Sequence, residues 1–286
     1  MGEVSGTPHT LLVIRSHLNS FTKTERKVAQ YVLENTEEIV YLSVTELAER
    51  VDVGETTVLR FCRKLKFKGF QDFKISLAKT AIHSSNHTHK EIQEDDEVGV
   101  LRDKVIQSHN RVIEDTRELL HPVKLEQAID YLVHAEFIQF YGVGTSNLTA
   151  IQAAHLFTRI GKSSDAKQDT HFQAMTAALL TKKDVAVGIS VSGDAKDTID
   201  NLKIAKQAGA RTICITSNAR SPITKIADVD LIIAVKENPL HGSSITSKMA
   251  QLSAIDVLYT GVMLRTKETA LKYRERTAKA VSEKLQ

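Results

Sequence analysis

The sequence predicts a multidomain chain of two classes: an all-α domain first, then an α/β domain with three layers around a mainly parallel sheet. Three observations carry this reading. Apolar residues recur at helical spacing, in short pieces, from Thr22 to Leu77. From Phe137 onward, β-branched runs alternate with helical stretches, the pattern of parallel strands covered on both faces. Between these regions, residues 83–97 read "HSSNHTHKEIQEDDE" and present no apolar face. The 286 residues suffice for two cores. The expected boundaries are 1–82 for the helical domain, 83–100 for a polar linker and 101–286 for the α/β domain with flanking helices.

Composition is that of an ordinary globular protein, 26% charged and 42% hydrophobic, with a net charge of only +3. The distribution of charge is more informative. Between Gly54 and Ile82 stand Arg60, Arg63, Lys64, Lys66, Lys68, Lys74 and Lys79, against Glu55 and Asp72. Such a local excess suits salt-dependent contacts with phosphates. The N-terminus lacks a basic region followed by an apolar core, and no apolar run approaches the roughly 18–20 residues of a bilayer span. The expected location is cytoplasmic, without membrane contact. Cys62 and Cys214 lie among apolar residues and read as reduced core thiols.

In the helical region, Thr22-Lys23-Thr24-Glu25 has capping-box spacing ahead of Val28, Ala29, Val32 and Leu33. Ser43-Val44-Thr45-Glu46 repeats the signal before Leu47, Ala48 and Val51. Asp52-Val53-Gly54 interrupts the pattern, and a further helix follows from Glu55 to Leu65, with Val58, Leu59, Cys62 and Leu65 facing inward. Two short helices joined by such a turn match a helix-turn-helix, whose second helix enters the DNA major groove. Its outward positions are expected to offer Glu55, Thr56, Thr57 and Arg60, with Arg63 and Lys64 beyond. Thr56 and Thr57 touch bases or cap the helix, and Arg60 reads guanine or holds a phosphate. Arg63, Lys64, Lys66 and Lys68 suit phosphates. A small bundle with a solvated basic face is the bland alternative.

In the bridge, His83, His87 and His89 have no neighbours that fix a metal geometry, so a solvated linker is expected. Helical stretches are expected near Leu101–Leu120 and Val123–His134. The predicted strands are Phe137–Tyr141, Val185–Ile189, Thr212–Thr216 and Leu231–Val235. Between and after them, helices are expected over Ser146–Ile160, Phe172–Leu180, Ala195–Gln207 and Ser244–Met263. Residues from Arg265 to Gln286 read as a basic helical tail that packs across a dimer, touches DNA weakly or stays partly mobile.

Ligands of parallel sheets bind beyond the carboxyl ends of the strands. Two strand ends have the chemistry. One is "YGVGTSN", where Gly142 and Gly144 permit close backbone approach and Thr145 and Ser146 begin a helix. The other is "GISVSGDAKDT", with Ser190, Ser192 and Gly193 between strand and helix. Hydroxyls and backbone N–H groups at helix N-termini cradle anions, and a phosphate is the simplest guest. A dinucleotide is disfavoured, because the third glycine of GxGxxG is missing and no Walker lysine is present. The bland alternative is a pair of ordinary helix caps.

Two resemblances join these readings. The stretch "SVTELAERVDVGETTVLRFCRKLKFKGFQDFKISL" resembles the N-terminal domain of the RpiR/MurR-type bacterial transcriptional regulators, with Gly69, Phe70 and Phe73 packing the end of that domain. Gly54 stands where that family usually has a capping serine, and Lys66 where it usually has glycine. The first departure costs a few tenths of a kcal/mol, and the second requires a left-handed backbone at about 1 kcal/mol. Residues from about 123 to 262 resemble a sugar isomerase (SIS) domain, through "GVGTSN", "DTH", "ISVSGDAKDT", "AKQAGA", "CITSNARSPITKIADVDL" and "SKMAQLSAIDVLY" in the family's order.

The resemblance implies a DNA-binding transcriptional regulator of carbohydrate-metabolism genes, controlled by a phosphorylated sugar. It places Gly144 and Ser146 near the phosphate or sugar, and Ser190, Ser192 and Gly193 on the phosphate. Ala195 lacks the threonine hydroxyl usual at its position, and Lys248 replaces an arginine, keeping charge without the bidentate fork. Ser247 and Lys248 approach the ligand or a subunit interface. A homodimer or homotetramer on double-stranded operator DNA is implied. No cofactor, metal or catalysis is expected. Glu237, His241, Asp169 and His171 lie in plausible loops but form no recognisable acid/base constellation. A phosphosugar isomerase with an accessory helical domain is the alternative.

Overall fold

The computed structural model describes residues 10–39, 42–84, 92–235, 245–282 and 284. The chain divides into two compact units, Met1–Asn110 and Arg111–Gln286.

The first unit is helical: α1 (Thr10–His17), α2 (Lys23–Glu34), α3 (Thr36–Ile39), α4 (Val44–Val51), α5 (Glu55–Lys64) and α6 (Phe70–Ser84), then the start of α7 (Val98–Leu119). Both capping boxes form. Thr22 accepts from the Glu25 backbone N–H and Glu25 accepts from that of Thr22, and Ser43 and Glu46 repeat the exchange at α4. Val28, Ala29, Val32, Leu47, Ala48, Val58, Phe61 and Cys62 make the core. Phe61 meets Phe21 and Phe73, at ring-centroid distances of 5.1 and 5.7 Å. Phe70 and Phe73 are buried as expected, and a β-carbon on the half-buried Gly69 would meet open space. Lys66 has a positive φ of 68°, the helix exit expected for that position. Helix α1 had no sequence signal. It is tied to α6 by the hydroxyls of Thr10 and Ser76, 2.6 Å apart.

The second unit continues with the end of α7 and α8 (Pro122–His134). Then follow β1 (Phe137–Tyr141), α9 (Thr145–Arg159), β2 (Ser163–Ala166), α10 (Thr170–Ala178), β3 (Val185–Ile189), α11 (Lys196–Gln207), β4 (Arg211–Thr216), β5 (Val229–Ile232), α12 (Ile245–Arg265) and α13 (Lys267–Ser282). The strands form a five-stranded sheet in the order β2-β1-β3-β4-β5, with every neighbouring pair parallel. Strand β2, Ser-Ser-Asp-Ala, was missed because an edge strand whose single apolar residue is an alanine carries no periodic signal.

Parallel partners point side chains to the same face, so Phe140 and its partner Val187 share one face while Gly188 faces the other. Phe140 packs on Phe157 of α9, and Phe157 packs on Tyr259 of α12. Gly188 lies under Leu202 and Thr198 of α11. Helices α9 and α11 therefore cover opposite faces, which makes the three layers. Cys62 and Cys214 are both free and buried, and burial pushes the Cys62 thiol up to about 12.

Phe157 is fully buried in the α9 layer. Phe157→Ala is expected to destabilise the second unit by about 3–5 kcal/mol, the usual cost of emptying an aromatic core site. Denaturant unfolding checks this.

Candidate functional site

The strand order reverses between β1 and β3. The chain leaves β1 towards β2 at one edge and leaves β3 towards β4 and the other edge. Loops at such a reversal diverge and leave a crevice. Both glycine-bearing loops of the sequence, 142–144 and 190–195, lie there.

After β1, Gly142 is held against the start of α9. A β-carbon on it would stand 2.8 Å from the Ser146 carbonyl carbon and 2.9 Å from the Asn147 nitrogen, so only glycine fits. Gly144 is the residue before α9 and has φ 60° and ψ −127°, with no side-chain cap on the helix. Ser146 and Asn147 are buried in the first turn. Asn147 Oδ1 has no donor among the described residues.

After β3, the Ser190 backbone N–H donates to Ile215 O, and Ser190 Oγ accepts from the Gly193 N–H at 3.1 Å. The exit of β4 clamps the same loop: Val191 O accepts from Ser217 N–H and from the hydroxyls of Thr216 and Ser217, at 3.0 and 2.9 Å. Gly193 has φ 74°, and a β-carbon there would collide with Ser221 Oγ at 2.1 Å. Ser192 is half-buried and accepts from the Asp194 N–H. Ala195 then precedes α11 and offers no cap. Thus α9 and α11 both begin in the crevice with first-turn N–H groups unclaimed by side chains, while α8 and α10 are capped by His121 and Asp169. Asp169 is occupied in capping α10, and His171 is exposed. Glu237 and His241 lie outside the described residues, as do His87 and His89.

Sequence reasoning missed the buried polar side chains that assemble this crevice. Gln173 of α10 donates to Gly142 O at 3.0 Å and Lys167 O at 2.8 Å, and accepts from Asn201 of α11 at 2.9 Å. Gln251 of α12 donates to Ser146 Oγ at 3.2 Å and accepts from Thr149 Oγ1 at 2.5 Å. The only available signal was glutamine within an apolar helical pattern, which periodicity alone assigns to no partner.

In the first unit, Asp52 closes α4 in the left-handed region and Gly54 precedes α5, giving the expected turn. Glu55 is fixed to α4 by the Thr45 hydroxyl, 2.6 Å away. Thr56, Arg60 and Arg63 are exposed on α5, with Lys66 and Lys68 following. Two expectations are corrected. Thr57 is only 7% exposed, because its position falls on the same face as the buried Phe61. Lys64 is engaged within the domain: its Nζ donates to Glu25 Oε2 at 2.7 Å and Ser20 O at 3.1 Å and lies over the Phe21 ring. Lys74 is likewise bound to Leu42 O.

Burial pushes the Glu25 carboxyl up, but the Lys64 ammonium and the Thr22 N–H more than reverse this and hold it below the usual carboxylate range. A depressed carboxylate stabilises the fold above its unfolded value, and the contribution is lost as pH falls through the folded value. Lys64→Met is therefore expected to cost the helical unit about 1.5–3 kcal/mol, the range for hydrogen bonds to charged groups. It should also flatten the loss of stability on acidification below 4.5, the ordinary value for glutamate. Thermal unfolding across a pH series checks both.

The profile described as "Helix-turn-helix domain, rpiR family" matches residues 9–84, and that of the SIS domain matches residues 131–261. An HTH-type transcriptional regulator of Caldanaerobacter subterraneus is 37% identical, over 95% of this chain and 96% of its own. The bifunctional protein glk of Burkholderia thailandensis is also 37% identical, over 88% of this chain, which spans 39% of glk. Among solved structures, Vibrio vulnificus NanR complexed with ManNAc-6P is similar at a TM-score of 0.63 and 30% identity, covering 96% of this chain and 98% of its own. With a helix-turn-helix unit, an SIS unit and relatives of this likeness along nearly its whole length, the chain belongs to the rpiR family of HTH-type transcriptional regulators.

Proposed function

We propose that the second unit binds a phosphorylated sugar or sugar derivative in the β1/β3 crevice and that this binding controls the affinity of α5 for operator DNA. The observation that carries the reading is the meeting of two uncapped helix N-termini beside Ser146, Ser190 and Ser192 at the reversal of strand order. Unclaimed N–H groups at the positive ends of helix dipoles favour an anion. Gly144 and Gly193 keep the backbone open to it, and the serine hydroxyls add donors. The ligand carried by NanR, ManNAc-6P, supports the phosphosugar class.

On the DNA side, Thr56 and Arg60 address base edges while Arg63 holds phosphate. Thr57 and Lys64 are not part of that surface. Two copies of the chain present two α5 helices to a palindromic site. The protein works in the cytoplasm as a sensor without turnover. Regulation requires that the sugar bind the DNA-competent and DNA-incompetent states with different affinities.

The test is titration of the protein with duplex DNA from upstream of its own gene, at fixed salt, with a phosphosugar panel headed by ManNAc-6P. A compound that shifts DNA affinity is the expected result. Specific DNA binding that no phosphosugar alters would overturn the sensor reading. Arg60→Ala is expected to weaken specific binding by about 1–3 kcal/mol, the worth of one bidentate base contact, with unfolding unchanged. Gly193→Ala is expected to abolish the phosphosugar response while DNA binding persists.

A further inference from the structure

Ser146, Gln251 and Thr149 form a chain of hydrogen bonds whose direction decides what Ser146 does at the crevice. Gln251 is 2% exposed and Thr149 is fully buried, so neither side chain reaches the ligand itself. The Thr149 hydroxyl donates to Gln251 Oε1 at 2.5 Å, and Gln251 Nε2 donates to Ser146 Oγ at 3.2 Å. A carboxamide has one accepting and one donating end, so occupying the oxygen with Thr149 turns the nitrogen to Ser146. Ser146 Oγ is then an acceptor towards Gln251. Its own proton finds no acceptor among the described residues and is free to point at a guest. The reverse direction is chemically allowed: Ser146 would donate to Oε1, and its proton would be lost to the crevice.

We infer that Gln251 and Thr149 are positioning residues that hold Ser146 as a hydrogen-bond donor to the anionic group of the effector. This deepens the proposed function and rests on its placement of a phosphate beside Ser146. Buried chains of this kind discriminate by polarity. A Ser146 fixed as donor favours a phosphate oxygen over a ligand group that only donates. Helix α12, which carries Gln251, thereby becomes part of the recognition apparatus without touching the ligand.

The test uses the full-length protein and inorganic phosphate as the probe, titrated calorimetrically into the millimolar range, with thermal unfolding as the folding control. Ser146→Ala is expected to weaken phosphate binding roughly tenfold or more, as loss of a hydrogen bond to a charged group does. Thr149→Val removes the donor that occupies Oε1, so Ser146 turns its proton to Gln251. Binding should weaken about threefold to tenfold, the range for a net neutral hydrogen bond. Thr149→Ser keeps the hydroxyl and should retain wild-type affinity. Thr149→Ala gives the same reading as the valine variant if valine does not fold.

The decisive variant carries Thr149→Val and Gln251→Met together. The methionine thioether is a far weaker acceptor than the carboxamide oxygen, so the double variant should recover most of the affinity lost by Thr149→Val alone. A merely structural role predicts further loss, and that result would overturn the relay. Ser146→Ala with unchanged phosphate binding would overturn the placement of the phosphate, and the relay with it. Ser146→Ala that weakens binding while Thr149→Val does not would overturn the relay alone.

Discussion

The site depends on one constraint, the parallel pairing of β1 with β3 at the point where the strand order reverses. The register sets Tyr141, the last residue of β1, beside Gly188 of β3, so the two strands end at nearly the same level. From there the chain runs to opposite edges of the sheet and onto opposite faces, through α9 and α11. Two helices that begin at adjacent strand ends and diverge bring their N-termini together. The remaining features follow from this convergence. Gly142 is required because α9 starts against it, and Gly193 because the exit of β4 closes over the loop of β3. Gln173 then joins the two halves, since the Gly142 carbonyl and the Asn201 amide meet on its single side chain.

Much of this was legible in the sequence, and the exceptions share a cause. Strands β1 and β3 and the loops after them were readable because buried parallel strands are continuous apolar runs and the loops punctuate them with glycine and serine. Strand β2 was not, because its identity comes from pairing with β1 along an edge, a long-range fact absent from Ser-Ser-Asp-Ala. Helix α1 was also unread, as its tie is the hydroxyl of Ser76, far along the chain. Within the site, hydroxyl and glycine positions could be named from motifs. Gln173, Gln251 and Thr149 could not, because a buried polar side chain is defined by its partner.

The helical unit shows the same limit for charge. A run of basic residues beside a turn is a sound signal for a phosphate-facing surface, yet composition does not say which cations are free. Lys64 belongs to the run by sequence but lies on the flank of α5 that meets α2, where the capping-box carboxylate of Glu25 already accepts from the Thr22 N–H. One carboxylate thus caps α2 and anchors α5. Lys64 is spent on the relative placement of the two helices, whereas Arg60 and Arg63 lie on the exposed flank of α5.

Capping separates two groups of helix starts among the described residues. A side chain closes one group: Thr22 on α2, Ser43 on α4, His121 on α8 and Asp169 on α10. Helices α5, α9 and α11 start after Gly54, Gly144 and Ala195, with no side-chain cap. An uncapped start leaves N–H donors to water, at a cost relative to a good cap of about 1 kcal/mol after alanine and a few tenths of a kcal/mol after glycine. Those starts are the second helix of the helix-turn-helix and both helices of the crevice. On the proposed function, the unclaimed donors of α9 and α11 serve the effector's phosphate, and binding of that phosphate restores the stability that the missing caps give up.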